Sequence, residues 1–211
     1  MRALQRTKTA TTIFFHLALN FEEKNIFTMK KQALLTFLLM LTTLSMCYAQ
    51  KYMTRTGKIS FFSSTPIENI EAINHEVGAI LDMGSGDIAF IVPIKSFRFE
   101  KALMQEHFNE NYMESDTYPN SRFKGSIVNV QEVNLSKPGT YPVQVKGDLT
   151  IHGVTKNITV PGTIIVEDQK VITKAQFLVK PEDYKIKIPA LVTSKISKEI
   201  EITIDCSLQK S

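Results

Sequence analysis

The stretch EKALMQEHFNENYMESDTYPNSRFKG (residues 100–125), followed after a short gap by GDLTIHGVTK (residues 147–156), decides the fold of this chain. The first part predicts a short amphipathic helix and a polar loop, because the positions Phe99, Leu103, Met104, His107 and Phe108 recur at steps of three and four residues. The second part predicts a strand that runs into a turn. Neither part holds residues arranged for bond-breaking chemistry. A helix inserted among strands is the element that we expect to cap one mouth of a barrel.

Apolar and polar residues alternate along the second half of the chain, in residues 141–151, 158–166, 171–179 and 200–208. This alternation is typical of antiparallel strands that have one buried face and one face in water. Pro161 stands inside the second of these runs, where it predicts a bulge or a bend.

The first half of the chain adds predicted strands at residues 58–64, 67–82, 87–95 and 123–133, with a tight hairpin at residues 83–86. Eight strands of even spacing predict an all-β domain. Exposed strand edges are a liability for a protein, and a sheet that closes on itself removes them. A closed barrel or a sandwich is therefore expected.

The leader of the chain indicates export. Residues 29–49 have the plan of a secretory signal peptide, with Lys30 and Lys31 before an apolar run and a small residue at Ala49. The run is shorter than the roughly 20 residues that cross a bilayer. Cleavage at about Ala49/Gln50 would place the mature chain in the periplasm or outside the cell.

Two further predictions concern this leader. Residues 1–28 precede a second start at Met29 and are predicted to be a misannotated upstream extension. Cys47 ends a stretch that loosely resembles a lipoprotein signal, so lipid attachment at Cys47 is the alternative to simple cleavage. Residues 50–211 are the predicted barrel domain, and no transmembrane segment is expected in them.

The charge and cysteine content of residues 50–211 exclude some classes of function. Residues 1–49 carry six of the 25 Lys and Arg but only two of the 21 Asp and Glu, so the predicted mature chain has no net charge and no basic block. Nucleic-acid binding requires clustered Lys and Arg and is not expected. Cys206 is left alone, which excludes an intramolecular disulfide. A homodimer is one assembly that the neutral chain leaves open.

The residues that carry chemistry are scattered. His75, His107 and His152 have no metal-ligand spacing, and no HExxH pattern or cysteine pair exists. Residues 115–117 read as a polar turn, and no GxSxG or glycine-rich phosphate loop is present. We therefore expect no enzyme activity, no metal and no cofactor. His107 is predicted either to anchor the helix by a hydrogen bond or to lie at a cavity mouth.

The chain resembles the YceI-like family of lipocalin-like, polyisoprenoid-binding proteins. The resemblance is carried by Glu106–Phe108, Ser115–Pro119, Phe123–Gly125 and, most specifically, Gly147–Lys156. It implies an eight-stranded antiparallel lipocalin-like barrel with one short helix inserted between strands, in a periplasmic protein. It also implies that the lumen binds, stores or transports a polyisoprenoid-type lipid, such as a quinone or a quinone precursor.

An eight-stranded barrel is wide enough to hold one thin ligand. The predicted lumen and mouth residues are Phe61, Ile88, Phe90, Val92, Ile94, Phe99, Met104, His107, Phe108, Phe123, Leu149 and Ile151. His152 and Gly153 are predicted to shape a structural turn. The alternatives are a structural or stress-response interaction module whose barrel is filled by its own side chains and, less favoured, a small enzyme acting on lipids.

Overall fold

The computed structural model describes residues 51–168 and 170–211. The upstream extension at residues 1–28, the signal peptide at residues 29–49, the cleavage position and Cys47 all lie outside the described residues. Ala49–Ser211 forms a compact unit by itself. Because its sheet and core form from its own residues, this unit can be studied as a separate domain.

The described residues form one antiparallel sheet that closes on itself. Its order is β1-β9-β8-β7-β6-β5-β3-β2, and β1 also pairs with β2. A two-residue strand, β4, pairs only with β2, so eight strands make the wall. The predicted eight-stranded antiparallel barrel is confirmed, and the sandwich is excluded. The strands are β1 Lys51–Ser64, β2 Asn69–Asp82, β3 Asp87–Pro93, β4 Arg98–Phe99, β5 Asn120–Ile127, β6 Gly139–Ile151, β7 Val154–Val166, β8 Lys170–Val179 and β9 Ile200–Lys210.

One short helix, α1 (Ala102–His107), stands between β4 and β5, as predicted. It continues as a π-helical turn, Phe108–Tyr112, so the segment expected to be a polar loop begins as helix. Short 3-10 turns follow strands elsewhere, at Ile94–Ser96, Val130–Glu132, Pro181–Tyr184 and Ala190–Val192.

Two predicted strands were too long. The strand predicted over residues 123–133 ends at Ile127, and a 3-10 turn then directs the buried Val130 into the core. The strand predicted over residues 87–95 ends at Pro93, where another turn begins. In both cases an apolar residue just beyond the strand mimics its continuation in the sequence pattern.

The two ends of the barrel differ. We call the end that carries the turn between β1 and β2 the mouth end. Since neighbouring strands are antiparallel, residues 94–119, 152–153 and 180–199 connect strands at this same end. The opposite end, the closed end, carries the hairpin at residues 83–86 and residues 128–138.

Side chains fill the barrel at the closed end. Val77, Leu81, Val171, Cys206 and Leu208 are almost wholly buried there. Each buried aliphatic side chain contributes about 1.5–3 kcal/mol relative to exposure. The closed end is therefore the main core of the domain.

Burial raises the pKa of the Cys206 thiol to about 12. Because this value lies above the ordinary thiol pKa of 9.0, the contribution of Cys206 to stability is complete below pH 9 and is lost as the pH rises towards 12. We expect the free energy of unfolding to fall by up to about 1.4 kcal/mol per pH unit across this interval from Cys206 alone.

Urea denaturation from about pH 8 to about pH 11 measures this effect against a Cys206→Ala variant. Tyr184, whose pKa is also raised by burial, is retained in both proteins. The variant should show a shallower alkaline decline. If the free energy of unfolding falls equally with pH in both proteins, the alkaline loss of stability does not come from Cys206.

Candidate functional site

A cavity of about 520 Å³ extends from the middle of the barrel to the mouth end. Its walls are aliphatic and phenylalanine side chains from the inner faces of the strands. All twelve residues predicted for the lumen or mouth line it: Phe61, Ile88, Phe90, Val92, Ile94, Phe99, Met104, His107, Phe108, Phe123, Leu149 and Ile151. The part of the interior towards the mouth end is therefore not filled by the protein's own side chains.

Strand β3 shows how alternation builds this wall. Ile88, Phe90 and Val92 are buried and line the cavity, whereas Ala89 and Ile91 between them point outwards. Successive side chains of a strand point to opposite faces, so every second residue is delivered to the lumen.

Two glycines make room beside the cavity. Gly125 of β5 and Gly147 of β6 are direct cross-strand partners. A Cβ at Gly125 would overlap the carbonyl oxygen of Lys146 and lie 2.7 Å from the Gly147 Cα and 2.8 Å from the Phe123 ring. The Phe123 ring therefore rests over a bare backbone pair, and this contact requires glycine at both positions.

Four phenylalanines hold the helical segment over the mouth end. Phe61 of β1 contacts Phe97, Phe99 and Phe108, with ring centroids 5.3–5.6 Å apart. Phe108 also lies 5.0 Å from Phe99 and 5.5 Å from Phe97. Tilted and edge-to-face aromatic pairs add to the free energy gained from burial. The cluster fixes α1 as part of the cavity wall.

The helical segment supplies the polar groups of the mouth. His107 is the last residue of α1 and is exposed; its ring makes no hydrogen bond to another residue of the described chain. The predicted anchoring hydrogen bond is therefore not found, and His107 lies at the cavity mouth instead. Tyr112 also lines the cavity, and burial raises its pKa. Lys101 forms an ion pair with Glu68 at 3.0 Å.

The barrel wall opens between β7 and β8 near the mouth. These strands pair only through Gly162–Val166 and Val171–Ala175. Pro161 immediately precedes the first paired residue of β7, and the β6–β7 register continues through it without a shift. No bulge is found at Pro161, one of the two features predicted there; having no N–H, this proline stands where the β7–β8 ladder stops.

The connection from β8 to β9 covers this opening, which sequence reasoning missed. Four half-buried aliphatic residues of the connection line the cavity: Ile186, Ile188, Val192 and Ile196. The connection is held by a 2.6 Å ion pair between Lys156 and Asp183 and by a 2.9 Å hydrogen bond that the Ser197 N–H donates to Ser63 Oγ. The alternation in Lys185–Ile188 is the signal that could have found it.

The structure places His152 and Gly153 at the turn between β6 and β7, both with positive φ, 50° and 74°. His152 Nδ1 lies 3.2 Å from the carbonyl oxygen of Tyr184, and Nε2 lies 3.3 Å from Glu114 Oε2. The Tyr118 ring packs edge-on against the imidazole at 4.5 Å. The turn thus joins the helical segment to the β8–β9 connection.

Replacing His152 with alanine is expected to destabilise the domain by about 2 kcal/mol, because two hydrogen bonds are lost and alanine is strained at positive φ. His152→Gly removes the same contacts without the backbone strain. Thermal denaturation should therefore rank the parent above His152→Gly, and His152→Gly above His152→Ala. Equal melting temperatures for all three proteins would show that the His152 contacts do not stabilise the domain.

No group of three or more His, Cys, Asp or Glu side chains in the described residues is placed to hold a metal ion. Within the same residues, no helix combines the length and apolar character needed to cross a membrane.

Comparisons with known proteins agree with this architecture. The model of the YceI-like domain matches residues 48–208. No curated protein matches the chain. A polyisoprenoid-binding domain from Saccharophagus degradans, implicated in plant cell wall breakdown, is 14% identical, with a TM-score of 0.68 over 78% of this chain and 100% of its own.

Two other solved structures are similar in fold. BcnA from Burkholderia cenocepacia is 18% identical, with a TM-score of 0.60 over 73% of this chain and 96% of its own. A mutant of the Campylobacter jejuni YceI protein is also 18% identical, with a TM-score of 0.54 over 70% of this chain and 89% of its own. At these identities the likeness shows the shared barrel.

Proposed function

The chain belongs to the YceI-like family, and we propose that it binds a lipid with a long isoprenoid tail, such as a quinone or a quinone precursor, inside the barrel. The similar domain from Saccharophagus degradans is described as polyisoprenoid-binding. Storage or transport of that lipid in the periplasm, after cleavage of the leader, is the role that we propose for the protein.

The observation that carries this proposal is the apolar cavity. Its volume of about 520 Å³ falls within the roughly 300–1,000 Å³ range of ligand sites. Aliphatic and phenylalanine walls suit a hydrocarbon tail, whose burial is favourable by about 25 cal/mol per Å² before ordering costs. The same cavity argues against a structural module with a packed interior.

The closed end is filled by core side chains, so a ligand is expected to enter with its tail first. The head group would then remain at the mouth end, near His107, Tyr112 and the Lys101–Glu68 ion pair. These groups offer hydrogen bonds and charge to a polar head, and we assign them a binding role. A binding protein, with no catalytic step of its own, is the class that this arrangement supports.

Mass spectrometry of an organic extract tests the proposal. Residues 50–211, produced in a bacterial periplasm and purified without detergent, should release an isoprenoid lipid or quinone in a ratio approaching one per chain. A protein that yields no lipid and also fails to take up added polyisoprenoid alcohol would overturn the proposal and leave the barrel as an interaction module.

A further inference from the structure

The β8–β9 connection has an outer face of unusual composition. Residues 185–198 contain four lysines and no acidic residue. Lys185, Lys187, Lys195 and Lys198 are all exposed, and Lys195 also lines the cavity. Among the described residues, none of these four ammonium groups lies within ion-pair distance of a carboxylate. The face therefore presents uncompensated positive charge to solvent.

A large apolar side chain stands in the middle of this positive face. Leu191 is 94% exposed. Two more apolar side chains are exposed in other connections at the mouth end, Ile67 at 62% and Leu103 at 60%. Residues 185–198 thus combine a projecting aliphatic group with lysines, whereas the connection at residues 94–119 of the same end carries the exposed Glu100, Glu106 and Glu110.

Two of the three acidic residues that flank this face in the sequence are paired with other lysines, and the third, Glu182, is exposed. Glu199, directly after it, pairs with Lys180 at 3.6 Å, and Asp183, shortly before it, pairs with Lys156 at 2.6 Å. The inner side of the same connection lines the cavity. A surface bound by the outer face would therefore lie one layer of side chains away from the cavity.

We propose that residues 185–198 dock the mouth end on an anionic lipid bilayer, with the lysines binding phosphate head groups and Leu191 inserted among them. Apolar anchors flanked by Lys are the composition that binds membrane interfaces, and each Lys near an anionic surface contributes measurably. The inference rests on the proposed function in one respect: the cavity would exchange its lipid with the bilayer that the face contacts.

The chemistry of this face favours a bilayer over a second copy of the chain. A two-fold symmetric contact places the same patch on both partners. Here it would bring one set of four lysines against another, and like charges in contact are unfavourable. Phosphate head groups instead supply opposite charge at every lysine.

Vesicle co-sedimentation tests the proposal with residues 50–211. The parent protein should bind vesicles of equal phosphatidylglycerol and phosphatidylcholine, and bind weakly to vesicles of phosphatidylcholine alone. Replacing Lys185, Lys187 and Lys198, which do not line the cavity, together with Gln should weaken binding to anionic vesicles roughly 100-fold. Leu191→Asn should weaken it roughly tenfold. Raised salt should reduce binding of the parent.

Matched controls change the same side chains elsewhere. Lys124, Lys137 and Lys146 are exposed lysines on the outer wall and the closed end, and their joint replacement with Gln should leave binding within about threefold. Val128 is 60% exposed at the closed end, and Val128→Asn is the control for Leu191→Asn. Equal effects from test and control variants would overturn the proposal, because a diffuse charge effect would then explain the binding.

The remaining outcomes separate docking from lipid binding. Uptake of a short isoprenoid alcohol from solution, without binding to anionic vesicles, would overturn docking and leave the proposed function standing. Lysine-dependent vesicle binding without any uptake of the isoprenoid alcohol would support docking and overturn the proposed lipid-binding function. A concentration-dependent dimer that Leu191→Asn dissociates would also overturn docking, because the face would then be a protein interface.

Discussion

Replacing Ala175 with tryptophan is expected to abolish lipid binding while leaving the barrel folded. Ala175 of β8 lines the cavity and is the cross-strand partner of Gly162 of β7, which also lines it. These two small residues leave free space in the lumen. An indole at this position would occupy the space that an isoprenoid tail requires. A fluorescent isoprenoid that binds the parent protein should show no measurable binding to the variant.

The same substitution reports on its own placement, because the chain contains no tryptophan. Blue-shifted emission would show that the indole is buried in the lumen. Gln176→Trp, one residue later on the exposed face of β8, is the matched control and should bind lipid like the parent. If the Ala175→Trp variant is folded, has a buried indole and still binds within about tenfold of the parent, the ligand does not occupy this cavity.

Gly125→Ala is expected to have the largest effect on stability. The added methyl group meets backbone atoms of β6, which cannot rotate away as a flexible side chain can. Overpacking of this kind costs about 3 kcal/mol, because the strands must separate or slip. For a domain of this size the melting temperature should fall by about 10 °C.

Gly139→Ala is the control for this change. Gly139 lies on the same strand as Gly147, but a Cβ there would meet only the Tyr141 ring at 3.5 Å or more. Thermal denaturation should show only a small change in melting temperature for Gly139→Ala. Alanine has less conformational freedom than glycine in the unfolded chain, and this lowers the entropy cost of folding. Similar losses for both variants would indicate a general intolerance of alanine and not a steric conflict between β5 and β6.

The strands of this barrel could be predicted because one face of each strand is exposed to solvent, so polar and apolar residues alternate in the sequence. Alternation placed Ile88, Phe90 and Val92 on the inner face, and all three line the cavity. The same rule failed where the chain leaves the sheet. Val130 extends the apolar stretch that follows Ile127, although it is out of phase with the inward residues of β5, and it reaches the core from a 3-10 turn. Period-two patterns do not distinguish a strand from a turn that follows it.

The site was predicted on the strands and missed on the connections. Residues 186–196 can form part of the cavity wall only because β7 and β8 separate near the mouth. The position of that opening depends on where the hydrogen-bond ladder between β7 and β8 stops. Pro161 marked that position, but local sequence could not distinguish a bulge from an unpaired strand. The His152 turn is similar. Its contacts come from Glu114 and Tyr184, 38 and 32 residues away in the chain, and only the folded structure brings these groups together.

The pairing of the first strand with the last has a consequence for how the protein is made. Strand β1 pairs with β9 in two stretches, residues 52–53 and 58–62, and the Ser211 N–H donates to the Lys51 carbonyl. The cylinder therefore cannot close until the final residues of the chain have left the ribosome. Contacts between distant segments form slowly, since loop-closure entropy must be overcome first. A nascent chain of this topology keeps its barrel open until β9 is available for pairing.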